Sequence, residues 1–323
     1  MRAFLDPSAR ANASSTTVSV GESPPFRRGL RMHTFEYLMP KSIDEAVSLM
    51  ESHGERARYI GGGTDILVKI KEKKVLPDFL ISLRNIPDMA YIRFEEGTGI
   101  LRIGSMTTHR MLEQSPLIRE RYPILSDAAD NIGSVQIRNV ATIGGNIVNA
   151  VPSADGAIPL ITLGAKIRMR GPKGEREMDL VDFFFGPGQT LLEHGEIVLE
   201  FVVPKLRPLT GMAYFKHTRR AAMELPILGV AVLLSLENDG ITCSEVRIGL
   251  GVLAPTPMRA LNAEEILTGR KIDDALLEKA GKAAAWECKA RDSVRGEAWY
   301  RRAMVEVLVK RLGRLCLERA KES

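Results

Sequence analysis

The chain has 323 residues, 45% of them apolar and 26% charged, and a formal net charge of +5. This length allows two or three domains with cores of their own, and the composition is that of an ordinary globular protein. Five arginines against two acidic residues give residues 1–31 a net charge of +3, so the remainder is nearly balanced. Without a basic cluster, and without an apolar run of roughly 20 residues, we expect neither a nucleic-acid partner nor a transmembrane segment.

Residues 1–31 are rich in Ala, Ser, Thr, Arg and Pro and hold no apolar period, so we predict a disordered N-terminal extension. A paired arginine within it lacks the apolar stretch of an export signal. Cys243, Cys288 and Cys316 are widely spaced, without the pairing of a zinc or iron–sulfur site. We expect three separate, mostly buried thiols in a reducing compartment, which predicts a cytoplasmic location and places any iron–sulfur cluster on another chain.

The first predicted folded domain, residues 32–90, has the alternating elements of a small α/β unit. A capping box at 42–45 predicts the start of a helix and Gly54 its end. A strand over 58–60 then runs into a glycine-rich loop at 60–65, and a short helix and a strand over 79–83 follow.

The second predicted domain, residues 91–207, contains a further glycine-rich loop at 141–146. Strands are predicted over 91–94, 100–103, 166–170, 175–178 and 197–203, with turns at 97–99 and 171–174. Helices are predicted before Pro116, over 123–131 and over 155–163.

Residues 208–323 have a different pattern and predict a separate α+β domain. Strands over 229–236 and 241–250 flank Asp239-Gly240, a strong hairpin signal. From Ala263 onward the pattern is helical and charged, and we expect Trp286, Trp299 and Tyr300 to be packing anchors.

The two glycine-rich loops carry most of the functional information. Glycine lets backbone amides approach a ligand closely, and successive exposed amides bind anionic oxygens. Two such loops, each between an extended and a helical run, indicate one shared ligand with two charged groups, such as a dinucleotide diphosphate. The alternative is that both are simply tight turns. Neither loop has the pattern of a P-loop or of a Rossmann site.

Further stretches accompany the loops: 104–108, 136–140, 149–155 and 250–260. Together they resemble the FAD-binding medium subunit of molybdenum hydroxylases, the family of xanthine dehydrogenase and carbon monoxide dehydrogenase, from about residue 32 to 318. The resemblance implies an α+β protein with an FAD-binding fold of two α/β subdomains, PCMH/vanillyl-alcohol-oxidase-like, with the flavin between them. A C-terminal domain of an antiparallel sheet and three helices would follow.

The resemblance also implies where FAD would bind. Residues 61–65 and 142–146 would cradle the diphosphate, and Asp155 would bind the adenosine side or an adjoining polar group. Ile132 and Val198 would line the flavin site, and Lys216 lies where relatives have a lysine near the flavin ring. The full predicted set is Ile60, Gly61, Gly62, Gly63, Thr64, Asp65, Ile66, Thr108, Ile132, Thr142, Ile143, Gly144, Gly145, Asn146, Asp155, Val198 and Lys216.

The function that the resemblance implies is that of an FAD-dependent oxidoreductase subunit without a catalytic residue of its own. Electrons would pass from a large molybdopterin-binding subunit, through the 2Fe-2S clusters of a small subunit, to FAD and then to NAD or another acceptor. A dimer of heterotrimers is the implied assembly. One alternative is a flavin-free scaffold subunit that bridges the other chains. Another, a free-standing oxidase with covalent flavin, would need a His or Cys beside the first loop, and none occurs at 59–70.

Overall fold

A computed structural model describes residues 32–322; the predicted disordered extension, 1–31, lies outside the described residues. The helices are α1 Ile43–His53, α2 Ile66–Lys71, α3 His109–Gln114, α4 Pro116–Arg121, α5 Pro123–Asp130, α6 Val135–Arg138, α7 Ile143–Asn149, α8 Ala157–Thr162, α9 Leu261–Leu267, α10 Asp274–Glu287 and α11 Ala298–Glu322. The strands are β1 Glu36–Leu38, β2 Ala57–Ile60, β3 Phe79–Ser82, β4 Ile92–Glu95, β5 Ile100–Gly104, β6 Lys166–Gly171, β7 Gly174–Asp179, β8 Phe184–Gly186, β9 Gln189–Thr190, β10 Ile197–Val203, β11 Thr210–His217, β12 Leu228–Leu236, β13 Cys243–Gly251 and β14 Met258–Arg259.

The first unit is a parallel three-stranded sheet in the order β1-β3-β2 with α1 against it. The predicted capping box is present. Ser42 Oγ accepts from Glu45 N at 3.1 Å, while Glu45 Oε2 accepts from Lys41 N at 2.8 Å. The apolar face of α1 is buried, and β2 ends where the first glycine-rich loop begins.

The second unit is an antiparallel five-stranded sheet in the order β4-β5-β10-β6-β7. Both predicted hairpins form, and β10 lies at the centre of the sheet. Helix α4 was not predicted, because a proline at position 116 indicates the end of the preceding helix α3. In fact Ser115 accepts from Ile118 N and Pro116 occupies the first turn of α4, where its missing N–H has no cost.

The C-terminal unit is an antiparallel sheet in the order β11-β12-β13-β14 with α9, α10 and α11 on one face. All residues of β12 are buried, because successive side chains point to opposite faces of the sheet and each face is covered. Val230 and Val232 pack with these helices, whereas Ala231 and Leu233 belong to the core of the second unit. The sheet is thus covered on both faces, and its outer strand β11 packs this unit against the second unit through Met212 and Tyr214.

The three cysteines are free and buried, as expected. The prediction of packing anchors was wrong for Trp286 and Trp299, which are 88% and 66% exposed. Trp286 lies off the buried stripe of α10, which consists of Leu277, Ala280, Gly281, Ala284 and Ala285. Tyr300 is half-buried in the C-terminal core, and its hydroxyl lies 2.9 Å from His217 Nε2. Within residues 32–322, no helix has the length and apolar character needed to cross a membrane.

Candidate cofactor site

The two glycine-rich loops lie against each other. A Cβ added to Gly62 would lie 2.0 Å from Val140 O, and one added to Gly61 would lie 3.1 Å from Thr142 Oγ1. Such an approach between two backbones is open only to glycine. The loops that the sequence predicted to share a ligand are therefore direct neighbours.

Both loops line one cleft of about 650 Å³. That volume is within the range of small-molecule and cofactor sites. The predicted residues that border it are Gly61, Gly62, Gly63, Thr64, Asp65, Ile66, Ile132, Thr142, Gly145 and Asn146. Residues that were not predicted also border it, among them Tyr59, Lys69, His109, Ile137, Asn149 and the segment 192–196.

The first loop has free backbone amides. Among residues 32–322, the N–H groups of Gly61, Gly62, Gly63 and Thr64 have no hydrogen-bond acceptor. Gly63 has a φ of +82°, which a residue with a side chain rarely adopts. A run of unpaired amides at the wall of a cleft is suited to the oxygens of a phosphate.

The second loop differs, because most of its amides are already used within the protein. Ile143 N donates to Thr107 O at 2.9 Å and Gly144 N to Ser105 O at 2.8 Å. Gly145 N donates to Thr142 Oγ1 at 3.1 Å. The expectation that both loops supply bare amides was therefore wrong for these three residues. The amides of Ile143 and Gly144 donate to carbonyls too distant in sequence to be predicted. The amide of Gly145 donates to the side chain of Thr142, which caps the helix that follows.

What the second loop gives the cleft is side chains and shape. Thr142 and Asn146 border it, and Asn146 Oδ1 is held by Gly156 N at 3.1 Å. Gly144 has no room for a side chain, since a Cβ there would lie 2.7 Å from Ser105 O. This loop therefore shapes the part of the cleft wall that lies next to the free amides of the first loop.

A polar bridge joins the two sides of the cleft. Asn149 Nδ2 donates to Asp65 Oδ1 at 2.9 Å, and Lys69 Nζ donates to Asn149 Oδ1 at 2.7 Å. The bridge ties α2 to α7, which follow the two loops. Asp65 and Lys69 are four residues apart, a spacing that puts both on one helical face, but nothing in the sequence indicated that Asn149 would join them.

His109 borders the cleft, and nothing in the sequence indicated a role for it there. The residue is nevertheless only 1% exposed, and its Nε2 has no hydrogen-bond partner within residues 32–322. Burial, helped by the charge of Arg138, lowers the pKa of His109 to about 4, so the ring is neutral at physiological pH. An unpaired buried nitrogen in the wall fits a site in which a bound group completes the polar contacts.

Asp155 and Lys216 form a buried ion pair behind the cleft rather than at its surface. Lys216 Nζ lies 2.8 Å from Asp155 Oδ2, and Tyr214 OH donates to Asp155 Oδ1 at 2.8 Å. Burial raises the pKa of Asp155, although Lys216 and Tyr214 oppose the rise. Burial and the neighbouring Asp155 also raise the pKa of Tyr214 well above its usual value. Neither charged residue is among those that border the cleft.

The other predicted residues also lie outside the cleft wall. Ile60, Ile143 and Val198 are buried in apolar clusters. Thr108 is the N-cap of α3, where its side chain accepts from Met111 N at 3.2 Å. These residues stabilise, by packing or by capping, the helices and strands around the cleft.

The cleft lies between two α/β units and has free amides on one wall and apolar side chains on another. This arrangement is typical of proteins that bind a nucleotide cofactor. The family model described as the FAD binding domain in molybdopterin dehydrogenase matches residues 33–206. The one described as the CO dehydrogenase flavoprotein C-terminal domain matches residues 213–314. The chain therefore belongs to the family of FAD-binding subunits of molybdenum hydroxylases, and its cofactor is FAD.

Relatives in this family match over nearly their full length. The carbon monoxide dehydrogenase medium chain of Hydrogenophaga pseudoflava is 36% identical over 86% of this chain and 95% of its own. The putative xanthine dehydrogenase FAD-binding subunit of Escherichia coli strain K12 is 32% identical over 85% and 94%. A solved structure of the Hydrogenophaga pseudoflava carbon monoxide dehydrogenase superposes with a TM-score of 0.85 at 35% identity, covering 90% of this chain and 99% of that one. These matches confirm the predicted fold class and the predicted family.

Proposed function

We propose that this chain is the electron-transfer subunit of a heterotrimeric molybdenum hydroxylase and holds its FAD in the cleft between the two glycine-rich loops. The observation that carries the proposal is the contact between Gly62 and Val140, which brings both loops to one cavity. FAD, when bound, accepts electrons and passes them on. The residues of this chain bind and orient it.

The first loop would hold the diphosphate. The free amides of residues 61–64 donate to anionic oxygens, and a hydrogen bond to a charged acceptor is worth about 1.5–3 kcal/mol. Lys69, bonded to Asn149 at the same cleft, adds one positive charge nearby. Ile66, Ile132 and Ile137 supply apolar surface for an aromatic ring. The loop of residues 142–146, which lies directly against the first, would complete this part of the wall.

Asp155 and Lys216 act from behind this wall. Their carboxylate and ammonium groups are paired, so they bring no net charge to the cavity. We assign them to holding the cleft in shape, together with the buried predicted residues Ile60, Ile143 and Val198 and the helix cap Thr108.

The proposed partners are a large molybdopterin-binding subunit and a small 2Fe-2S subunit, in a dimer of heterotrimers. The support is the relatives' names, which describe medium chains of carbon monoxide dehydrogenase and a subunit of a 6-hydroxypseudooxynicotine dehydrogenase complex. Electrons would enter from the small subunit's clusters and leave to NAD or another acceptor.

Purification of the tagged chain from its own cells tests this proposal. We expect two further chains to co-purify, with molybdenum, iron and one FAD for each copy of the tagged chain. After chemical reduction of the purified complex, reoxidation of the flavin band by NAD⁺ would identify the acceptor, and reoxidation by oxygen alone would exclude NAD. A flavin-containing chain that purifies alone, without metals, would refute the proposed complex.

A further inference from the structure

Three connections of the C-terminal unit meet at one end of its sheet. Strand β11 ends where β12 begins. Arg301, in the first turn of α11, donates from Nη1 to Ile227 O at 2.6 Å and to Val252 O at 3.1 Å. The segments that join β11 to β12, β13 to β14 and α10 to α11 therefore lie together.

This end of the unit has a group of exposed apolar side chains. Val294 is 93% exposed, and Trp286 and Trp299, the two tryptophans of the chain, are 88% and 66% exposed. Four more apolar residues there are between 44% and 61% exposed: Phe215, Met223, Leu225 and Leu261. We call these seven residues the apolar end. Exposed apolar groups gathered in this way mark an interaction site, and tryptophan is among the residues that contribute most to binding at interfaces.

Part of the apolar end is a continuous strip of rings. The centroids of Trp299 and Tyr300 are 5.8 Å apart, those of Tyr300 and His217 are 5.8 Å apart, and those of His217 and Phe215 are 6.4 Å apart. Trp299 Nε1 also donates to the carboxylate of Glu297. Rings held in this way lose little freedom when a partner binds, so the strip is a preorganised contact surface.

Unpaired cations surround the apolar end. Within residues 32–322 four basic side chains form no ion pair and no side-chain hydrogen bond: Lys289, Arg291, Arg295 and Arg302. The neighbouring carboxylates are used inside the unit, since Glu287 accepts from Asn262 N and Ala263 N and Asp292 accepts from Ala298 N. The charge that complements this surface is therefore negative.

The apolar end lies beside the cofactor cleft. Lys216 stands between Phe215 and His217 on β11, and its Nζ donates to Asn131 O at 2.8 Å. The residue after Asn131, Ile132, borders the cleft. A protein bound to the apolar end would therefore be close to the occupant of the cleft.

An anionic membrane fits this surface less well than a protein does. Tryptophan and basic side chains also occur at membrane surfaces. Negative headgroups would, however, repel the carboxylates that lie among the cations, which are Glu224, Glu287, Asp292 and Glu297. A protein surface can match charges of both signs, and complexes of electron-transfer proteins are small, typically burying less than about 1,200 Å².

We propose that the apolar end is the docking site of an acidic protein that carries one electron at a time and takes electrons from the FAD of this chain. The inference rests on the proposed function and names the class of acceptor that was left open there. Each docked carrier is reduced by one electron. Two encounters therefore reoxidise one reduced FAD, whose two protons pass to the solvent.

The test uses rubredoxin, a small acidic one-electron carrier, as the probe and basic cytochrome c for comparison. Binding is measured by calorimetry at low and at physiological ionic strength, with the full-length chain, with and without FAD, and with the purified complex. The rate of rubredoxin reduction by the chemically reduced complex is measured in parallel. The variants are Lys289→Glu with Arg291→Glu, and Trp286→Ser with Trp299→Ser. The matched control is Lys279→Glu with Arg311→Glu, which reverses two exposed cations farther along α10 and α11.

We expect rubredoxin to bind more tightly than cytochrome c, and its affinity to fall about ten-fold between low and physiological ionic strength. K289E with R291E should weaken rubredoxin binding and slow its reduction about ten-fold, and should favour cytochrome c. W286S with W299S should weaken rubredoxin binding about ten-fold at both ionic strengths, because an apolar contact does not depend on screening. The control variant should bind rubredoxin as the original chain does.

Any of four results would overturn the proposal. Rubredoxin fails to bind, or the control variant weakens binding as much as K289E with R291E. The isolated chain binds rubredoxin but the complex does not, which would assign the apolar end to a contact between subunits. Vesicles containing phosphatidylserine bind the chain and lose binding in the variants, while rubredoxin binding is unchanged.

The melting temperature of each variant shows whether it is folded. If W286S with W299S does not fold, the charge-reversal variant is held to the same criteria. A chain that binds rubredoxin but not FAD would refute the assignment of the cleft, whereas one that binds FAD but not rubredoxin would refute this inference. The two failures are therefore distinguishable.

Discussion

Replacement of Gly62 by Ala tests whether the two loops meet as the structure shows. The added Cβ would lie 2.0 Å from Val140 O, 2.7 Å from Val140 C and 2.8 Å from Ala141 Cα. All three are backbone atoms, which cannot rotate away as a side chain would. The φ of Gly62 lies outside the left-handed region, so alanine causes no strain of its own and the effect is purely steric.

The expected magnitude follows from that contact. Overpacking typically costs about 1–3 kcal/mol, and a clash with two residues of backbone belongs at the upper end. If the loops separate to relieve the clash, the cleft loses its shape, and the free-energy cost reduces FAD binding. About 3 kcal/mol then corresponds to a loss of FAD affinity of about 100-fold.

The assay is fluorescence titration of apo-protein with FAD, alongside thermal unfolding of the apo-protein. Gly97→Ala is the control, because a Cβ there meets nothing within 4 Å and the backbone is again outside the left-handed region. It should change stability by less than about 0.5 kcal/mol. A Gly62→Ala protein with the original FAD affinity and melting temperature would show that the loops do not touch, and the shared site would be refuted.

Three further predictions concern single side chains. Burial lowers the pKa of His109 to about 4, from about 6.5 in the unfolded chain. The unfolded state therefore takes up the proton first as the pH falls. We expect the free energy of unfolding to decrease by about 3 kcal/mol between pH 6.5 and pH 4. His109→Gln should remove that part of the pH dependence of urea unfolding, and identical profiles would contradict the assignment. Asn149→Ala, which breaks the bridge to Asp65 and Lys69, should weaken FAD binding about ten-fold in the same titration, since two hydrogen bonds are lost; unchanged affinity would show that the bridge does not support the site. Trp286→Ser should change the free energy of unfolding of the isolated chain by less than about 0.5 kcal/mol, and a larger loss in urea unfolding would mean that this exposed side chain is packed in solution.

The features that the sequence predicted correctly are mostly local. The capping box at Ser42 and the hairpin at Asp239-Gly240 depend on residues within one turn of each other, so their side-chain chemistry is visible in a short window. The proximity of the two glycine-rich loops was predicted only from the charge of a shared ligand. It follows in the structure from the close approach of Gly62 to the backbone of Val140 and Ala141.

The features that could not be predicted depend on contacts between distant stretches. The amide of Gly144 looks free in the sequence, and only the fold brings Ser105 O to within 2.8 Å of it. Likewise, the resemblance predicts Lys216 near the flavin ring, but nothing in the sequence indicated that its ammonium group would bond Asp155 and the carbonyl of Asn131. Strand β11, which carries Lys216, was itself not predicted, because Met212 and Tyr214 are buried by the second unit and Ala213 by the C-terminal helices, which leaves no alternation of apolar and polar residues.

The glycines of the site have different physical roles, although the sequence presents them as equivalent. Gly62 and Gly144 lack side chains because another stretch of backbone occupies the space, whereas Gly63 is required for its positive φ. The closeness of the loops is therefore built into the protein before any ligand arrives. Since the amides of residues 61–64 are held in this packed arrangement, little ordering of the chain remains to oppose binding, and preorganised donors of this kind are the ones that stabilise a charged group most.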